Sequence, residues 1–443
     1  MILTCERTKV LEDKYLIPDV LWMEVLAYLP TKTLLQIRCV CKTWCSLIDS
    51  HYFTYRHLEF YNGNKRNNSR FNIYAFYGRL IRSVQNSFII YQSDNNYKNH
   101  ISCIPDHDMF NRFYHETDMV NGLMLVRRER FWIQDEQLFL WNPSIYKLLE
   151  IPPCPLTKTY SKLDFHFCLG FVPSSYDYRV LVFREDKKGE RLEVEMAIYS
   201  LRENRWKVKP NWVNVLGRSL ALTKNYDSGV YTHDNVVYSQ GVVYWKPTLL
   251  CNGKNLVYFD FEDETFGIKE LPIVLDDDYL KIVFILSGSL AVFGISYSEI
   301  CIWVIDKDNN VEKAKQQWCQ NLIRDSTVKP LEKAYTQDCG ILKVNNAGKP
   351  KQQWCQYLVR DSTVKPREGA CAGARGIFAV IDKHHNIVYD ERNHTFLACY
   401  DDQLKSYNIE TTEVQHLTNS HKISYFGTYM ESLVLLNQAK LKR

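Results

Sequence analysis

Long apolar runs are missing from this chain of 443 residues. No stretch approaches the roughly 20 apolar residues that a membrane-crossing helix needs. The first segment, MILTCERTKVLEDKYLIP, carries charges where a secretory leader needs an apolar core. The expectation is a cytoplasmic protein, the nucleus being the alternative, with no membrane partner. Concentrated charge of one sign is missing too. Lys and Arg number 55 against 51 Asp and Glu, a net charge of +4, whereas a nucleic-acid binder displays a basic face. The 14 Cys lack the paired spacing of a disulfide scaffold or a zinc module. Cys39, Cys41 and Cys45 lie close together without a histidine pair, and the cysteines are expected to be small buried thiols in a reducing compartment.

Chemical motifs are equally scarce. No phosphate-cradling glycine loop, serine elbow or His-Glu-x-x-His is present. Asp276-Asp277-Asp278 lacks the alternating ligand spacing of a calcium loop, and His384-His385 has no third ligand nearby. The first reads as a polar loop facing water, the second as a turn between strands. Arg127-Arg128-Glu129-Arg130 is mixed in sign and reads as a solvated hairpin tip. The expectation is a non-catalytic protein with no metal and no cofactor.

What is present falls into two unlike parts. Residues 17–58 read IPDVLWMEVLAYLPTKTLLQIRCVCKTWCSLIDSHYFTYRHL. Asp19 can cap a helix that Pro30 stops, and Thr31 or Thr33 can cap the next. Leu34, Ile37, Cys41, Trp44 and Ile48 then recur at steps of three and four, one stripe of a helical segment bent or broken near its middle. So short a module cannot bury a self-sufficient core. Pattern alone leaves two readings open, a helical cap on the larger domain or a module that completes its core on a partner.

The order of residues resembles an F-box. Ile17-Pro18 stands where the motif opens with Leu-Pro, followed by Val25-Leu26 and Leu29-Pro30. Then come Leu34, Arg38-Cys39-Val40-Cys41-Lys42, Trp44 and Leu47-Ile48, closing on Phe53 and His57-Leu58. The resemblance covers residues 13–58. It implies docking onto a Skp-type adaptor and, through it, a cullin scaffold. Carried over by position, the adaptor contacts would come from Ile17, Pro18, Leu26, Leu29, Leu34, Leu35, Ile37, Val40, Cys41, Trp44, Leu47 and Ile48. Some of these must be internal core, and sequence does not divide the two sets.

From about residue 70 the pattern changes to short apolar runs broken by turn residues, such as LFLWNPS, YRVLVFRED and ICIWVID. Apolar residues at 46% and charged at 24% are those of a globular domain. An aromatic content of 14% suits pleated surfaces. The class is mainly β, a propeller with a sandwich as the alternative. LFLWNPSIYKLLEIP, VEMAIYSLRENRWKVKP and LVYFDFEDETFGIKELP share a grammar of strand, polar turn, strand and stop. Each reads as the outer strand pair of a propeller blade, with Trp or Phe packing between blades. These phrases resemble the plant F-box-associated domain, kelch-like in character. Further marks are Trp141-Asn142-Pro143-Ser144, Gly170-Phe171, Tyr176-Asp177-Tyr178-Arg179-Val180 and Ile302-Trp303-Val304-Ile305-Asp306. The ending Tyr429-Met430-Glu431-Ser432-Leu433-Val434-Leu435-Leu436 is similar to that of the S-locus F-box-like branch. The resemblance implies a β-propeller-like domain over 70–437.

One departure lies inside it. QQWCQNLIRDSTVKP from Gln316 returns from Gln352 as QQWCQYLVRDSTVKP, a tandem duplication spanning about 315–386. One copy is expected to be surplus, looped out at modest entropic cost, the alternative being an added half-blade.

The function implied is substrate recognition in an SCF-type ubiquitin ligase, presenting a protein client for degradation. The S-locus-like ending narrows the client to a pistil ribonuclease of self-incompatibility as one option. A glycan-binding F-box protein and an oxidase-like propeller are the competing readings.

Overall fold

The computed structural model describes residues 19–63, 72–77, 87–92, 99–103, 113–115, 117, 119–128, 137–156, 165–188, 191–213, 224–225, 232–233, 236–245, 255–271, 280–286, 289–295, 299–306, 353–361, 387–390, 395–400, 403–408, 414–417 and 423–436. Four helices come first: α1 (Asp19–Ala27), α2 (Thr31–Ile37), α3 (Lys42–Ile48) and α4 (His51–Gly63). The expected break in the second helical stretch falls between Arg38, which closes α2, and Cys41, which opens α3. Cys41 has an extended backbone and its Sγ accepts the Trp44 N–H at 3.4 Å, a thiol doing the work of an N-cap. Arg38 spans the break. Its guanidinium grips both carboxylate oxygens of Asp49, just past α3, with Nη2 at 2.6 Å from Oδ2. Such a planar fork fixes the angle between two short helices, which gives Arg38 a structural reason.

Two local expectations are corrected. Neither Thr31 nor Thr33 caps α2: Thr31 lies inside its first turn, and no side chain of the preceding segment makes a capping bond. The Thr31 N–H instead donates to Glu431 Oε2 at 2.8 Å, a carboxylate from the far end of the chain. Nor are all the cysteines buried. Cys154 and Cys168 are, but Cys39 and Cys41 are exposed and Cys45 is half-buried.

The rest is β. Six four-stranded antiparallel sheets follow one another along the described chain. The first joins Asn72–Tyr77, Ser87–Gln92 and Asn99–Cys103 to Ile423–Tyr429, and the second holds Phe113–His115, Met124–Arg128, Gln137–Asn142 and Lys147–Glu150. The third has His166–Val172, Asp177–Lys188, Arg191–Ser200 and Arg205–Val213, the fourth Val237–Ser239, Val242–Trp245, Asn255–Asp260 and Thr265–Glu270. Leu280–Leu286, Ser289–Ile295, Glu299–Asp306 and Gln353–Asp361 make the fifth, and Ile387–Asp390, Thr395–Tyr400, Gln403–Asn408 and Val414–His416 the sixth. A two-residue hairpin, Lys224–Asn225 with Thr232–His233, stands between the third and fourth.

Apolar side chains fill each gap between successive sheets. Tyr74 and Ile90 pack on Met124 and Trp141 between the first and second. Leu125 and Leu140 meet Phe167 and Val180 between the second and third, and Phe183 and Met196 meet Trp245 and Phe259 between the third and fourth. Tyr244 and Leu256 meet Val283 and Val292 in the next gap, and the Phe284 ring lies 6.2 Å from that of Tyr389 in the one after. Ile73 and Phe426 meet Val388 and Leu397, which returns the series to its start. The architecture is a propeller of six described blades rather than a sandwich. Its circle closes because Ile423–Tyr429, from the C-terminal end, pairs along Asn72–Tyr77.

The three phrases sharing a grammar are the outer strand pairs of blades two, three and four. Their aromatic residues seal gaps as expected: Trp206 Nε1 donates to Pro152 O of the preceding blade at 2.7 Å, and Phe266 joins the cluster shared with blade three. Gly170 is glycine because the Phe261 ring of the next blade lies against it, where an added Cβ would stand 2.2 Å away. Buried Asp177 ties a turn of blade three together, accepting Ser200 Oγ at 2.7 Å and the Arg202 N–H at 2.9 Å. Arg127 stands on a strand, not at a hairpin tip, with its guanidinium 5.5 Å above the Phe167 ring. The second copy of the duplicated segment supplies the outer strand of blade five, Gln353–Asp361, pairing Asp306 with Gln353. The first copy, Asp276-Asp277-Asp278 and His384-His385 lie outside the described residues.

Candidate protein-docking face

The helical module sorts the twelve sequence-derived positions by burial. Leu26, Leu34 and Ile48 are internal: each is at most 2% exposed, packed with Ala27, Phe53 and Leu433. Leu29, Leu35, Ile37 and Leu47 are half-buried against the same core. Trp44 is half-buried and meets the Trp22 ring edge-on at 5.3 Å. Val40 is 67% exposed, and Cys41 is exposed beside it. Ile17 and Pro18 lie outside the described residues. One motif therefore contains two populations, a core that holds four helices together and an apolar set left in water.

Sequence reasoning missed part of the second set. Leu21, Val25 and Tyr28 are 54%, 56% and 64% exposed. Leu21 and Val25, four apart, fall on one side of α1 and Tyr28 follows just past its end, while Met23, Leu26 and Ala27 face the core. The signal was present in the sequence as two apolar stripes on one short helix. A single stripe suffices to pack a helix, so the second is surplus until something covers it.

The face has a firm backing. The imidazole N–H of fully buried His57 donates to Leu29 O, 3.1 Å away, and so holds the carbonyl where α1 gives way to the turn. Burial pushes this histidine down to about 4, which keeps it neutral at pH 7. Arg56 of α4 forks onto Glu24 of α1 through two bonds of 3.1 Å. Leu29 and Pro30, a dipeptide of the motif, thus form a buttressed corner. Among the described residues no group of three or more His, Cys, Asp or Glu is placed to hold a metal ion, and no helix is long and apolar enough to cross a membrane.

A small helical module with an uncovered apolar face, set on a propeller, defines a two-module binding protein. Family comparison agrees with both halves. Residues 15–56 match the F-box domain, and residues 79–348 match the F-box associated beta propeller domain. The chain belongs to the F-box proteins that carry an F-box-associated β-propeller. An F-box/kelch-repeat protein of Arabidopsis thaliana is 23% identical over 279 residues, covering 60% of this chain and 68% of the relative. A putative F-box protein of the same plant is 25% identical over 312 residues, covering 68% and 76%.

Proposed function

We propose that this protein is a substrate receptor of an SCF-type ubiquitin ligase. In this reading Leu21, Val25, Tyr28, Val40, Cys41 and Trp44 dock a Skp-type adaptor, with Leu29, Leu35, Ile37 and Leu47 beneath them, and the propeller holds a protein client. The observation that carries it is the uncovered apolar stripe on α1, in a module whose sequence belongs to the F-box family. Interface hot spots are enriched in Trp and Tyr, the types of Trp44 and Tyr28 here, while the aliphatic members add apolar area to be buried. The remaining contributions of Ile17 and Pro18 follow from the motif alone. Recruitment asks for no catalytic group in the receptor, because its effect is to raise the concentration of client lysines near a charged conjugating enzyme.

A pistil ribonuclease as client was suggested by the ending Tyr429–Leu436. Ser432, Leu433, Val434 and Leu435 in that ending are at most 5% exposed, so they favour no client by contact. The client is accordingly proposed only as a protein, selected by the propeller's loops.

The test is adaptor capture by the full chain carrying Val25→Asp and Val40→Asp. Both residues are more than half exposed in the free chain, so the substitutions leave the fold intact while placing unpaired charge in the docked face. Adaptor affinity is expected to fall at least about tenfold. Undiminished capture by the folded double variant would remove this face from the docking surface.

A further inference from the structure

Met430–Leu436 follows directly from Ile423–Tyr429, the strand that closes the propeller, and runs between the propeller and the helices. Its side chains divide between the two. Glu431 accepts the Thr31 N–H at the start of α2, and Leu433, 1% exposed, completes the core formed by Leu26, Leu34, Ile48 and Phe53. Val434 and Leu435 lie in the cluster between blades two and three. Ser432 has no exposed surface. Its N–H donates to Ser144 Oγ at 3.1 Å, and its carbonyl accepts Asn142 Nδ2 at 2.9 Å. The same Nδ2 donates to Val434 O at 2.7 Å, while Asn142 Oδ1 accepts the Ser144 N–H at 2.9 Å. Lys147 Nζ donates to Leu436 O at 2.9 Å. Gly122, at φ +83°, leaves room for Ser432, since a Cβ there would stand 2.2 Å from the serine Cβ.

Two sequence motifs that looked unrelated, Trp141-Asn142-Pro143-Ser144 and Glu431-Ser432-Leu433-Val434, are therefore halves of one clasp. A second contact comes from α4: Tyr55, packed on the cluster that holds Val434 and Leu435, donates through Oη to Tyr176 O at 2.6 Å, and Tyr176 Oη donates to Glu59 Oε1 at 2.5 Å. The clasp holds α2 and this pair holds α4, so the helical module is tied to the propeller through two of its helices.

We propose that Glu431, Ser432 and Leu433, held by Asn142 and Ser144, are positioning residues: they fix the helical module's orientation on the propeller and so set where a bound client stands relative to the docked adaptor. The functional half of this statement rests on the receptor reading above. None of the three belongs to the exposed docking stripe. Their effect on ubiquitin transfer is geometric, since proximity raises a rate only while the partners are held in one arrangement.

The experiment uses the full chain with genetically encoded spin labels at Lys32 and Glu203, both exposed and one on each body, free and bound to the Skp-type adaptor. The parent is expected to give one narrow distance peak. Leu433→Ala and Asn142→Leu are expected to lose it, with amides of Thr31–Ile37 exchanging at least about tenfold faster and blade amides unchanged. Leu433→Met, close in volume, is expected to restore the peak. Glu431→Gln supplies a milder lesion should the others fail to fold. In the assembled ligase the set of propeller lysines that become self-ubiquitinated is expected to widen in the same variants, which loss of stability alone does not predict. A parent-like narrow peak in the folded variants would overturn the clasp. Failure of the parent to bind the adaptor sinks the receptor reading instead, while the distances in the free chain still decide the joint.

Discussion

The helices and the blades handle apolar surface in opposite ways. Every gap between blades is filled from both sides, as with Trp245 and Phe183 or Phe284 and Tyr389, and pairing of the first and last strands leaves the circle no loose end. The helical module has too few residues for a full core. It borrows Leu433 from the C-terminal end and still keeps Leu21, Val25, Tyr28 and Val40 more than half exposed. The comparison separates two kinds of incompleteness. One is met within the chain by the clasp; the other is left for a second protein. A domain whose purpose is to join others is legible in what it fails to bury.

The comparison breaks most visibly at Leu34. This side chain has no exposed surface and sits at the centre of the helical core. Leu34→Ala is expected to cost about 2–5 kcal/mol. If the two modules are separate cooperative units, hydrogen exchange will show the helices opening while the blades keep their protection. Equal loss of protection in both would mean the clasp has fused them into one unit, and would redraw the comparison. Leu34 is thus a probe of the fold rather than of adaptor docking, for which the exposed stripe is the proper target.

Acid is expected to act on the helices next. His57 titrates near 4 in the folded chain against 6.5 as a free side chain, because burial disfavours the imidazolium. Below pH 6.5 the unfolded module takes up a proton that the folded one does not, so its stability falls as pH drops from about 6.5 to about 4. The full span corresponds to roughly 3 kcal/mol. Exchange rates of the α4 amides measured across that range should rise as pH falls, after correction for intrinsic exchange, and His57→Gln should flatten the trend. An unchanged slope in His57→Gln would assign the acid response to another group.

Much of this architecture was legible because it is local. The outer strand pairs announce themselves in LFLWNPSIYKLLEIP and its two counterparts, where strand, turn and strand are contiguous. The break between α2 and α3 was expected near the middle of the stripe from Leu34 to Ile48, and it falls at residues 38–41. What sequence did not disclose is non-local or depends on facing direction. Capping rules look at the nearest polar residues and so chose Thr31 or Thr33, whereas the donor is met by Glu431 from the opposite end of the chain. Ile423–Tyr429 carries no mark that it belongs beside Asn72–Tyr77. Internal Leu34 and exposed Val40 come from the same apolar alphabet, and only the packing of the four helices tells them apart.

The smallest expected effect concerns the duplicated segment and tests how tightly the ring specifies its own strands. Blade five is completed by the second copy, Gln353–Asp361, reached from Asp306 through residues 307–352. Deleting 316–351 removes the first copy and leaves about ten residues between the same two strands, a length a hairpin loop accepts. Loop-closure entropy grows with the logarithm of loop length, so the shortened chain should be more stable by about 1 kcal/mol. Thermal unfolding and adaptor capture on parent and deletion variant check this. The sign matters more than the size. A more stable, fully competent variant makes the first copy surplus to the blade, in line with the looped-out expectation. A destabilised variant would show that the surplus copy contributes contacts of its own and that this stretch of the ring is remodelled rather than merely lengthened.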